Sequence, residues 1–310
     1  LLLIAGWTAA LPASANDYPS RPEVRAFIES LVGDHGFDAD SLQTVFSRVR
    51  RSDDAIRLMT PAPPTAKRSW NAYRSRFIDN SRITAGARFW REHDETVRRA
   101  SQQYGVPEEI IVAIIGVETY WGRITGNFRT IDVLATLSFD YLRRADYYRK
   151  ELVELLLLAR EQGTDPLRFK GSFAGAIGMP QFMPGSMRRF AVDFDGDGRI
   201  DLAGSPTDAI GSVANFLVEH GWQRCLPVLF EAEADEATVD ALGRGIAASA
   251  TWADALMAGV APDLPLEFDT PVLVIDLPYL DAGGEVRRLY RVGTANFAAI
   301  LQYNRSYFYA

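Results

Sequence analysis

A single carboxylate, Glu118, stands out because it lies in an otherwise apolar segment with helical character. The preceding residues 110–117 are all apolar or glycine, and two glutamates before them suit the positive end of a helix. Counting back four and seven positions from Glu118 reaches Ile114 and Ile111, so its side chain leaves an apolar face. Desolvation there should raise the pKa of the carboxyl group and let it donate a proton near neutral pH. The alternatives are a buried carboxylate paired with an arginine such as Arg123, or a solvent-facing one on a rotated helix.

Helical patterns that could position this carboxylate dominate the first half of the chain. Residues 22–33 and 39–50 predict short amphipathic helices, and 81–104 predict a longer one. The prolines of 61–64 forbid a helix and predict an extended connector. A second helical block runs from 107 to about 163.

The second half of the chain has a different amino-acid composition. Residues 171–204 are rich in Gly, Asp and Pro, as expected of a structured loop region that can carry a binding site. A helix is predicted from Ser205 to Gly221. Residues 271–277 predict a buried strand that turns back into 286–292, and 296–304 return to a helical period.

An acidic loop is a second candidate site in the sequence. Carboxylates at its first, third and fifth positions and a glycine at its sixth reproduce the front of an EF-hand calcium loop; they are Asp193, Asp195, Asp197 and Gly198. The twelfth position departs from that motif, because it is Gly204 rather than a bidentate Glu. Asp208 also allows a metal-free interpretation, in which it forms a helix capping box with Ser205.

Composition limits the possible functions. A chain of 310 residues with 47% hydrophobic content can bury a large core. Its net charge of −7 gives no attraction to nucleic acid, and no Lys/Arg-rich stripe overrides that average. The single Cys225 cannot form an intrachain disulfide and is predicted to be an inert core residue. The three histidines lack metal-ligand spacing and are predicted to be structural.

The N-terminus resembles an export signal. Residues 1–15 combine a short apolar run with small residues in an Ala-x-Ala arrangement, which predicts cleavage after Ala15. The sequence then begins inside a signal peptide, since it lacks an initiating Met and a basic start. The alternative is an ordinary buried helix, because the run is too short to span a bilayer.

Three motifs in this order resemble the lytic transglycosylase B family of peptidoglycan-cleaving enzymes. They occupy 116–122, 171–184 and 303–309, and the resemblance runs from about Tyr18 to the last residue. It implies a mainly α protein with a lysozyme-like catalytic core, a helical flanking domain and a small β-containing insert.

The domain boundaries expected from this resemblance follow the composition shifts. Residues 1–15 are a signal-peptide remnant, and 16–105 form a helical domain joined by 295–310. Residues 106–225 form the catalytic core with the EF-hand-like loop, and 226–294 form a small α/β insert with antiparallel strands.

The resemblance also implies a reaction. Most glycosidases use two carboxylates, but no second partner for Glu118 is obvious in the sequence. Lytic transglycosylases use one acid/base residue that cleaves the bond between N-acetylmuramic acid and N-acetylglucosamine and forms a 1,6-anhydromuramoyl product. A hydrolytic muramidase and a non-catalytic, calcium-stabilised peptidoglycan-binding module remain the alternatives.

The resemblance also implies which residues bind the substrate. Ser172 and Gln181 are expected to hold sugar oxygens, and Phe182 to form a stacking wall. Four further residues are expected to line the cleft: Tyr73, Tyr303, Asn304 and Tyr309. Arg143 and Arg144 are expected to meet muramyl carboxylates. Core packing is the alternative for each aromatic, and a solvated helix face for the arginines.

The resemblance finally implies a metal, a location and partners. The family closes the acidic loop with an Asp in the next helix, here Asp208, so Ca²⁺ is expected on the three loop aspartates, Asp208 and the backbone carbonyl of Arg199. The predicted partner is the peptidoglycan glycan strand, with cell-wall remodelling proteins possible. The enzyme is expected to be a periplasmic monomer without a lipid anchor, since no Cys follows the leader.

Overall fold

The computed structural model describes residues 17–61, 69–243, 245–260 and 266–310. The α-helices, in chain order, are α1 (Pro22–His35), α2 (Ala39–Ser47), α3 (Asp53–Met59), α4 (Trp70–Arg74), α5 (Asn80–Glu92), α6 (Asp94–Tyr104), α7 (Glu108–Thr119), α8 (Thr130–Phe139), α9 (Ala145–Glu161), α10 (Pro184–Phe190), α11 (Pro206–Glu219), α12 (Glu236–Leu242), α13 (Trp252–Met257) and α14 (Ala295–Leu301). The strands are β1 (Phe128–Arg129), β2 (Lys170–Gly171), β3 (Leu229–Ala232), β4 (Ala250–Thr251), β5 (Pro271–Leu280) and β6 (Val286–Gly293). Two 3-10 helices, Tyr18–Ser20 and Pro166–Arg168, complete the regular elements of this part of the chain.

Two predictions from the sequence lie outside the described residues. The signal-peptide remnant of 1–15 is one, and most of the proline connector of 61–64 is the other. Within the described ranges, no helix is both long and apolar enough to cross a membrane.

Backbone contacts divide the chain into two units. The first holds the described residues up to Pro61 together with Gly126–Ile177 and Gln181–Arg188. The second holds the described residues of Ala62–Thr125 together with Gly178–Pro180 and Arg189–Ala310. The domain boundaries expected from the sequence stay a prediction.

The first unit has its core around α8 and α9. Every residue of α8 from Thr130 to Ser138 is buried except Asp132, and α9 contributes a run of buried leucines from Leu155 to Leu158. The carboxylate of Asp140 closes this core, because its oxygens accept from Tyr18 Oη at 2.7 Å and Arg21 Nη1 at 2.9 Å. The two partly buried bonds satisfy a charge that would be costly to leave unpaired.

The second unit combines helices with an antiparallel sheet of order β3-β6-β5-β4. Alternation along β5 divides its residues between two hydrophobic clusters, as the period-two geometry of a strand requires. Val272 and Val274 join one cluster with Trp252, whereas Leu273 and Ile275 join the other with Phe297. The second cluster ties α14 to the sheet.

Most predicted elements are confirmed, and the fold is mainly α as expected. One correction concerns the long helix predicted over 81–104, which is broken into α5 and α6 at His93. At His93 the backbone leaves helical values, with φ −121° and ψ 21°. The imidazole ring of His93 packs on Phe89, with 4.6 Å between the ring centroids. The core prediction for Cys225 is wrong as well, because this residue is exposed.

Candidate active site

Glu118 lies in the last turn of α7, whose apolar residues explain its burial. Ile111, Ile114 and Ile115 are at most 5% exposed, and helical spacing puts them on the same face of α7 as Glu118, so this face is turned toward protein. Glu118 itself is half-buried. The helix C-terminus carries partial negative charge, which disfavours an ionised carboxylate at this position.

The chain reverses direction directly after this carboxylate, in an unusual backbone conformation. Tyr120, Trp121 and Gly122 have φ values of 53°, 55° and 80°. Side chains other than glycine rarely adopt such values, and they persist where surrounding contacts hold them. The indole of Trp121 supplies such contacts. Its Nε1 donates to the carbonyl of Val112 at 3.0 Å, so the ring folds back on the helix that it terminates.

Two glycines make room for this indole. A Cβ atom on Gly116 would lie 2.3 Å from the Trp121 ring, and one on Gly86 would lie 2.7 Å from it. Gly116 belongs to α7 and Gly86 to α5, so the ring fills the contact between these two helices. Glycine in a helix interior costs about 1 kcal/mol relative to alanine, and close packing of the indole explains its presence.

Two polar contacts hold the end of α7. Arg82 Nη1 donates to the carbonyl of Gly116 at 3.1 Å, and this carbonyl also accepts from Tyr120 N at 3.0 Å, so a side chain reinforces the last turn of the helix. Thr119 Oγ1 donates to the carbonyl of Met179 at 2.8 Å and accepts from Gly122 N at 3.0 Å. The segment that carries Glu118 is therefore fixed on both sides.

Tyr309 is the hydrogen-bond partner of the carboxylate. Its hydroxyl donates to Glu118 Oε1 at 2.6 Å, across 191 positions of sequence. Burial raises the pKa of Glu118 from its ordinary 4.5 to about 7, and the bond from Tyr309 opposes part of that rise. Near neutral pH the group can therefore both give and take a proton.

Two further tyrosines surround the pair. Burial and the nearby charge of Glu118 raise the pKa values of Tyr73 and Tyr303 above their ordinary range, so both hydroxyls stay protonated. The Tyr303 ring stacks with that of Tyr309 at 6.4 Å and packs on Phe216 at 4.4 Å. Tyr73 and Tyr309 also line a cavity of about 560 Å³.

The alternative pairing of Glu118 with Arg123 is not formed. Arg123 is exposed and lies over the ring of Tyr120, 5.1 Å from its centroid. Within the described parts of the chain, burial and Tyr309 account for the pKa shift of Glu118, and no second carboxylate contributes to it.

The predicted sugar-binding residues divide between the two units. Tyr73, Tyr303 and Tyr309 lie in the second unit with Glu118, and Asn304 there is exposed. Five other residues belong to the first unit: Arg143, Arg144, Ser172, Gln181 and Phe182.

In the first unit, Ser172 Oγ accepts from Ala176 N at 3.1 Å and stabilises a tight turn. Gln181 has a φ of 52° and is partly exposed. Phe182 is only 2% exposed, so its ring does not form the expected stacking wall. Core packing, the alternative for each aromatic, is what the structure shows for this residue.

Arg143 and Arg144 are both exposed. Arg144 immediately precedes α9, and its guanidinium lies over the ring of Tyr147 at 4.4 Å. These arginines have the accessibility that binding of substrate carboxylates requires, but their role stays a prediction.

The acidic loop brings its three aspartates together. Carboxylate oxygens of Asp193, Asp195 and Asp197 lie within 4.8 Å of one another, and all three residues are exposed. Backbone N–H groups shape the loop, since Asp193 accepts from Gly196 N at 2.7 Å and from Gly198 N at 2.8 Å. Hard carboxylate oxygens in a turn of this kind fit Ca²⁺.

Asp208 closes the loop from α11. Both of its oxygens accept backbone N–H groups, from Phe194 at 2.8 Å and from Asp201 at 2.8 Å. Only half of the capping box forms, because Ser205 Oγ accepts from Asp208 N while Ser205 N bonds the carbonyl of Asp201. The carboxylate of Asp208 therefore braces the loop instead of capping its own helix.

Sequence reasoning missed Trp121, Gly86 and Gly116 as a unit that positions the end of α7. An available signal was the pair of glycines within predicted helices, since such glycines mark a close approach of another group. Their shared partner could not be read from the sequence because Gly86 and Trp121 lie 35 positions apart.

The chain is similar to known proteins over nearly all of its length. The profile of the Transglycosylase SLT domain matches residues 19–310. Membrane-bound lytic murein transglycosylase B of Escherichia coli (strain K12) is 42% identical over 302 residues, covering 95% of this chain and 81% of the relative.

Solved structures agree with this match and confirm the lysozyme-like fold. Catenated lytic transglycosylase SltB1 of Pseudomonas aeruginosa superposes with a TM-score of 0.87 at 44% identity, covering 94% of this chain and 95% of that one. Escherichia coli lytic transglycosylase Slt35 in complex with calcium gives a TM-score of 0.81 at 42% identity, covering 94% and 90%. With the profile spanning nearly all of the chain and identity above 40% over most of its length, the protein belongs to the lytic murein transglycosylase family.

Proposed function

We propose that this enzyme cleaves the β-1,4 bond between N-acetylmuramic acid and N-acetylglucosamine in peptidoglycan and forms a 1,6-anhydromuramoyl end. Glu118 is its single acid/base residue. One observation carries the proposal: a half-buried carboxylate with a pKa of about 7 that accepts from Tyr309. Membership of the lytic murein transglycosylase family supports the substrate class.

The proposed reaction uses Glu118 twice. Because Tyr309 donates to Oε1, the proton of the neutral acid resides on Oε2 and passes to the glycosidic oxygen as the bond breaks. The N-acetyl carbonyl of the substrate stabilises the sugar cation. The carboxylate then takes the proton of the C6 hydroxyl, whose oxygen attacks the anomeric carbon, so no water is consumed. Acid/base catalysis of this kind contributes roughly 10²–10⁴-fold in rate.

Replacement of the acid tests the proposal. Glu118→Gln keeps the size of the side chain and its acceptor for Tyr309 but cannot donate a proton as an acid. We expect digestion of purified sacculi to fall by at least about 10²-fold, while sedimentation with sacculi is retained. Glu95→Gln is the matched control, since Glu95 is exposed in the first turn of α6, and this variant should digest sacculi at a rate close to that of the unmodified enzyme.

Mass spectrometry of the released muropeptides separates the alternatives. Anhydro ends support the transglycosylase, whereas reducing ends would identify a hydrolytic muramidase. Zymography without clearing by the unmodified protein would favour the non-catalytic binding module. Substantial turnover by Glu118→Gln would exclude this residue as the acid.

A structural Ca²⁺ site is the second part of the proposal. Asp193, Asp195 and Asp197 supply carboxylate oxygens, the carbonyl of Arg199 adds a backbone ligand, and Asp208 completes the set from α11. The ion would neutralise the mutual repulsion of these carboxylates and hold the loop. The structure of the Escherichia coli relative Slt35 in complex with calcium supports this assignment.

We also propose action in the periplasm, because the glycan strand is the substrate and 1–15 have the pattern of an export signal. Fractionation of cells that express the protein with a complete export signal tests this, with activity in the osmotic-shock fluid as the expected result. The Escherichia coli relative is named as membrane-bound, so activity that sediments with membranes would contradict the soluble form.

A further inference from the structure

Thr119 follows the proposed acid directly in the chain and is fully buried. Its hydroxyl donates to the carbonyl of Met179 at 2.8 Å and accepts from Gly122 N at 3.0 Å. The carbonyl of Ile115 lies farther away, at 3.3 Å, so the single hydrogen of the hydroxyl is directed to Met179. The residue beside Glu118 is therefore tied to a segment that lies 60 positions later in the chain.

The segment Gly178–Pro180, which contains Met179, also packs against the turn after α7. A Cβ atom on Gly122 would lie 3.2 Å from the side chain of Met179, so these two residues are closely packed. Met179 is buried, which shields the contact from water. The end of α7 is thus both hydrogen-bonded to this segment and packed on it.

The backbone of Leu202 holds the segment from its other side. Met179 N donates to the carbonyl of Leu202 at 2.7 Å. Gly178 has a φ of 75°, and a Cβ atom there would lie 2.5 Å from the same carbonyl oxygen, so this close approach requires glycine. The carbonyl of Met179 therefore bonds α7, while its N–H bonds Leu202.

Leu202 lies at the end of the acidic loop, and Asp208 braces the backbone beside it. Asp208 is 1% exposed, and its Oδ2 accepts from Asp201 N at 2.8 Å. The other oxygen, Oδ1, accepts from Phe194 N at 2.8 Å, within the loop itself. A continuous series of bonded groups thus runs from the acidic loop to the residue beside Glu118, and all of it lies in the second unit.

We propose that Thr119 is a positioning residue for Glu118 and that it couples the orientation of this acid to the acidic loop. A carboxyl group that transfers protons must be held close to the glycosidic oxygen, and a misplacement of about 1 Å can cost about 10²-fold in rate. The inference rests on the proposed function, since it takes Glu118 to be the acid. It extends the role of the acidic loop from stability of the fold to the geometry of proton transfer.

Loss of the Thr119 hydroxyl tests the positioning role. Thr119→Val keeps the shape of the side chain but removes the partner of the Met179 carbonyl and of Gly122 N. We expect kcat on soluble peptidoglycan strands to fall about tenfold, while KM changes by less than about twofold. Thr119→Ser retains a hydroxyl and should restore kcat. Thr136→Val removes a buried hydroxyl that accepts from Ser52 N in the first unit, and its kcat should equal that of the unmodified enzyme.

A double-mutant cycle tests the link to the acidic loop. Gly178→Ala places a methyl group against the Leu202 carbonyl, so it should separate the segment from the loop and lower kcat as well. Because both changes break one link, Thr119→Val should lower kcat by less than about twofold in the Gly178→Ala background. Asp208→Asn, which removes one of the two carboxylate oxygens that brace the loop, takes the place of Gly178→Ala if that variant does not fold. Independent losses that multiply would overturn the coupling.

Amide hydrogen exchange gives a readout that does not depend on activity. In Asp208→Asn, the amides of Met179 and Gly122 should exchange faster, because the links that hold them are loosened. The amide of Val239, which bonds Asp235 in α12, should exchange as in the unmodified protein.

Two results would overturn the positioning role. One is unchanged exchange at Met179 and Gly122 in Asp208→Asn, and the other is an equal loss of kcat in Thr119→Ser and Thr119→Val. Failure of the unmodified enzyme to cut peptidoglycan strands would instead reject the proposed function, and hydrogen exchange would still report whether the loop and the end of α7 are linked.

Discussion

The bond between Tyr309 and Glu118 sets how readily the proposed acid ionises. This hydrogen bond lowers the pKa of Glu118, whereas burial raises it, and burial has the larger effect. A phenol hydroxyl donates more strongly to a carboxylate than to the neutral acid, so it favours the charged form. The pKa of about 7 is the balance of the two effects.

Removal of the Tyr309 hydroxyl should therefore shift the pH profile of kcat/KM to higher pH. In Tyr309→Phe, Glu118 loses the interaction that lowers its pKa, and the alkaline limb of kcat/KM should shift to higher pH by about one unit. The activity at its maximum should also decrease, because the carboxyl group is less well oriented. Tyr104→Phe removes the same atom at a tyrosine that packs on Phe194, and its profile should match the unmodified enzyme. An unshifted limb in Tyr309→Phe would contradict the role of this bond.

At the scale of elements, α7 ends where it does because the Trp121 indole folds back on it. The contact needs glycine at two helix positions, which opposes helix propensity and favours packing. The turn at Tyr120 and Trp121, with its positive φ values, follows from the same contact.

Gly116→Ala should destabilise the protein although alanine is the better helix former. The added Cβ would lie 2.3 Å from the Trp121 ring, so the indole must shift, at a cost of about 1–3 kcal/mol. Gly33→Ala in α1 is the matched control, since no atom lies within 4 Å of its Cβ, and a gain of about 0.5–1 kcal/mol is expected. Urea denaturation measures both, and equal stabilisation of the two variants would show that the indole does not restrict Gly116.

The acidic loop is predicted to bind Ca²⁺ and to stabilise the folded protein when it does. After chelation, added Ca²⁺ should raise the melting temperature and release heat in isothermal titration, because the ion binds the folded loop. In Asp195→Ala both responses should be lost or much reduced. Asp240→Ala removes an exposed carboxylate of α12 and should keep them. Absence of heat and of a melting shift in the unmodified protein would remove calcium from this account.

At the scale of the whole molecule, the proposed acid costs stability. Its pKa rises from 4.5 to about 7 on folding, so the folded state binds this proton more tightly than the unfolded chain. The associated stability is complete below pH 4.5 and is lost as the pH rises through 7. Buried charge at alkaline pH is thus a cost that the function requires.

Glu118→Gln should therefore stabilise the protein at pH 8 but not at pH 4. The rise of this pKa from 4.5 to about 7 corresponds to on the order of 3 kcal/mol, and partial exposure of the group reduces the expected gain to about 2 kcal/mol. Thermal or urea unfolding at the two pH values measures it. Glu233→Gln, at an exposed position, should change stability little at either pH. Equal stability of Glu118→Gln and the unmodified enzyme at pH 8 would contradict the raised pKa.

Local patterns allowed much of the fold to be predicted, and distant contacts account for what was missed. The apolar period around Glu118 predicts α7 correctly, and the alternation of 271–277 predicts β5. The helical pattern of the sequence continues through His93, so it does not predict the break there, where the imidazole packs on Phe89. Phe182 was assigned to the sugar cleft through resemblance, yet its burial is a tertiary property that no local pattern carries.

The long interval between Glu118 and Tyr309 bears on how activity arises during synthesis. A nascent chain that has been made only through α7 contains the acid but lacks its hydroxyl partner, which follows 191 positions later. The pKa and the orientation of the acid are thus set only once the C-terminal aromatic segment has docked, so proton transfer is tuned by the part of the chain that is synthesised last.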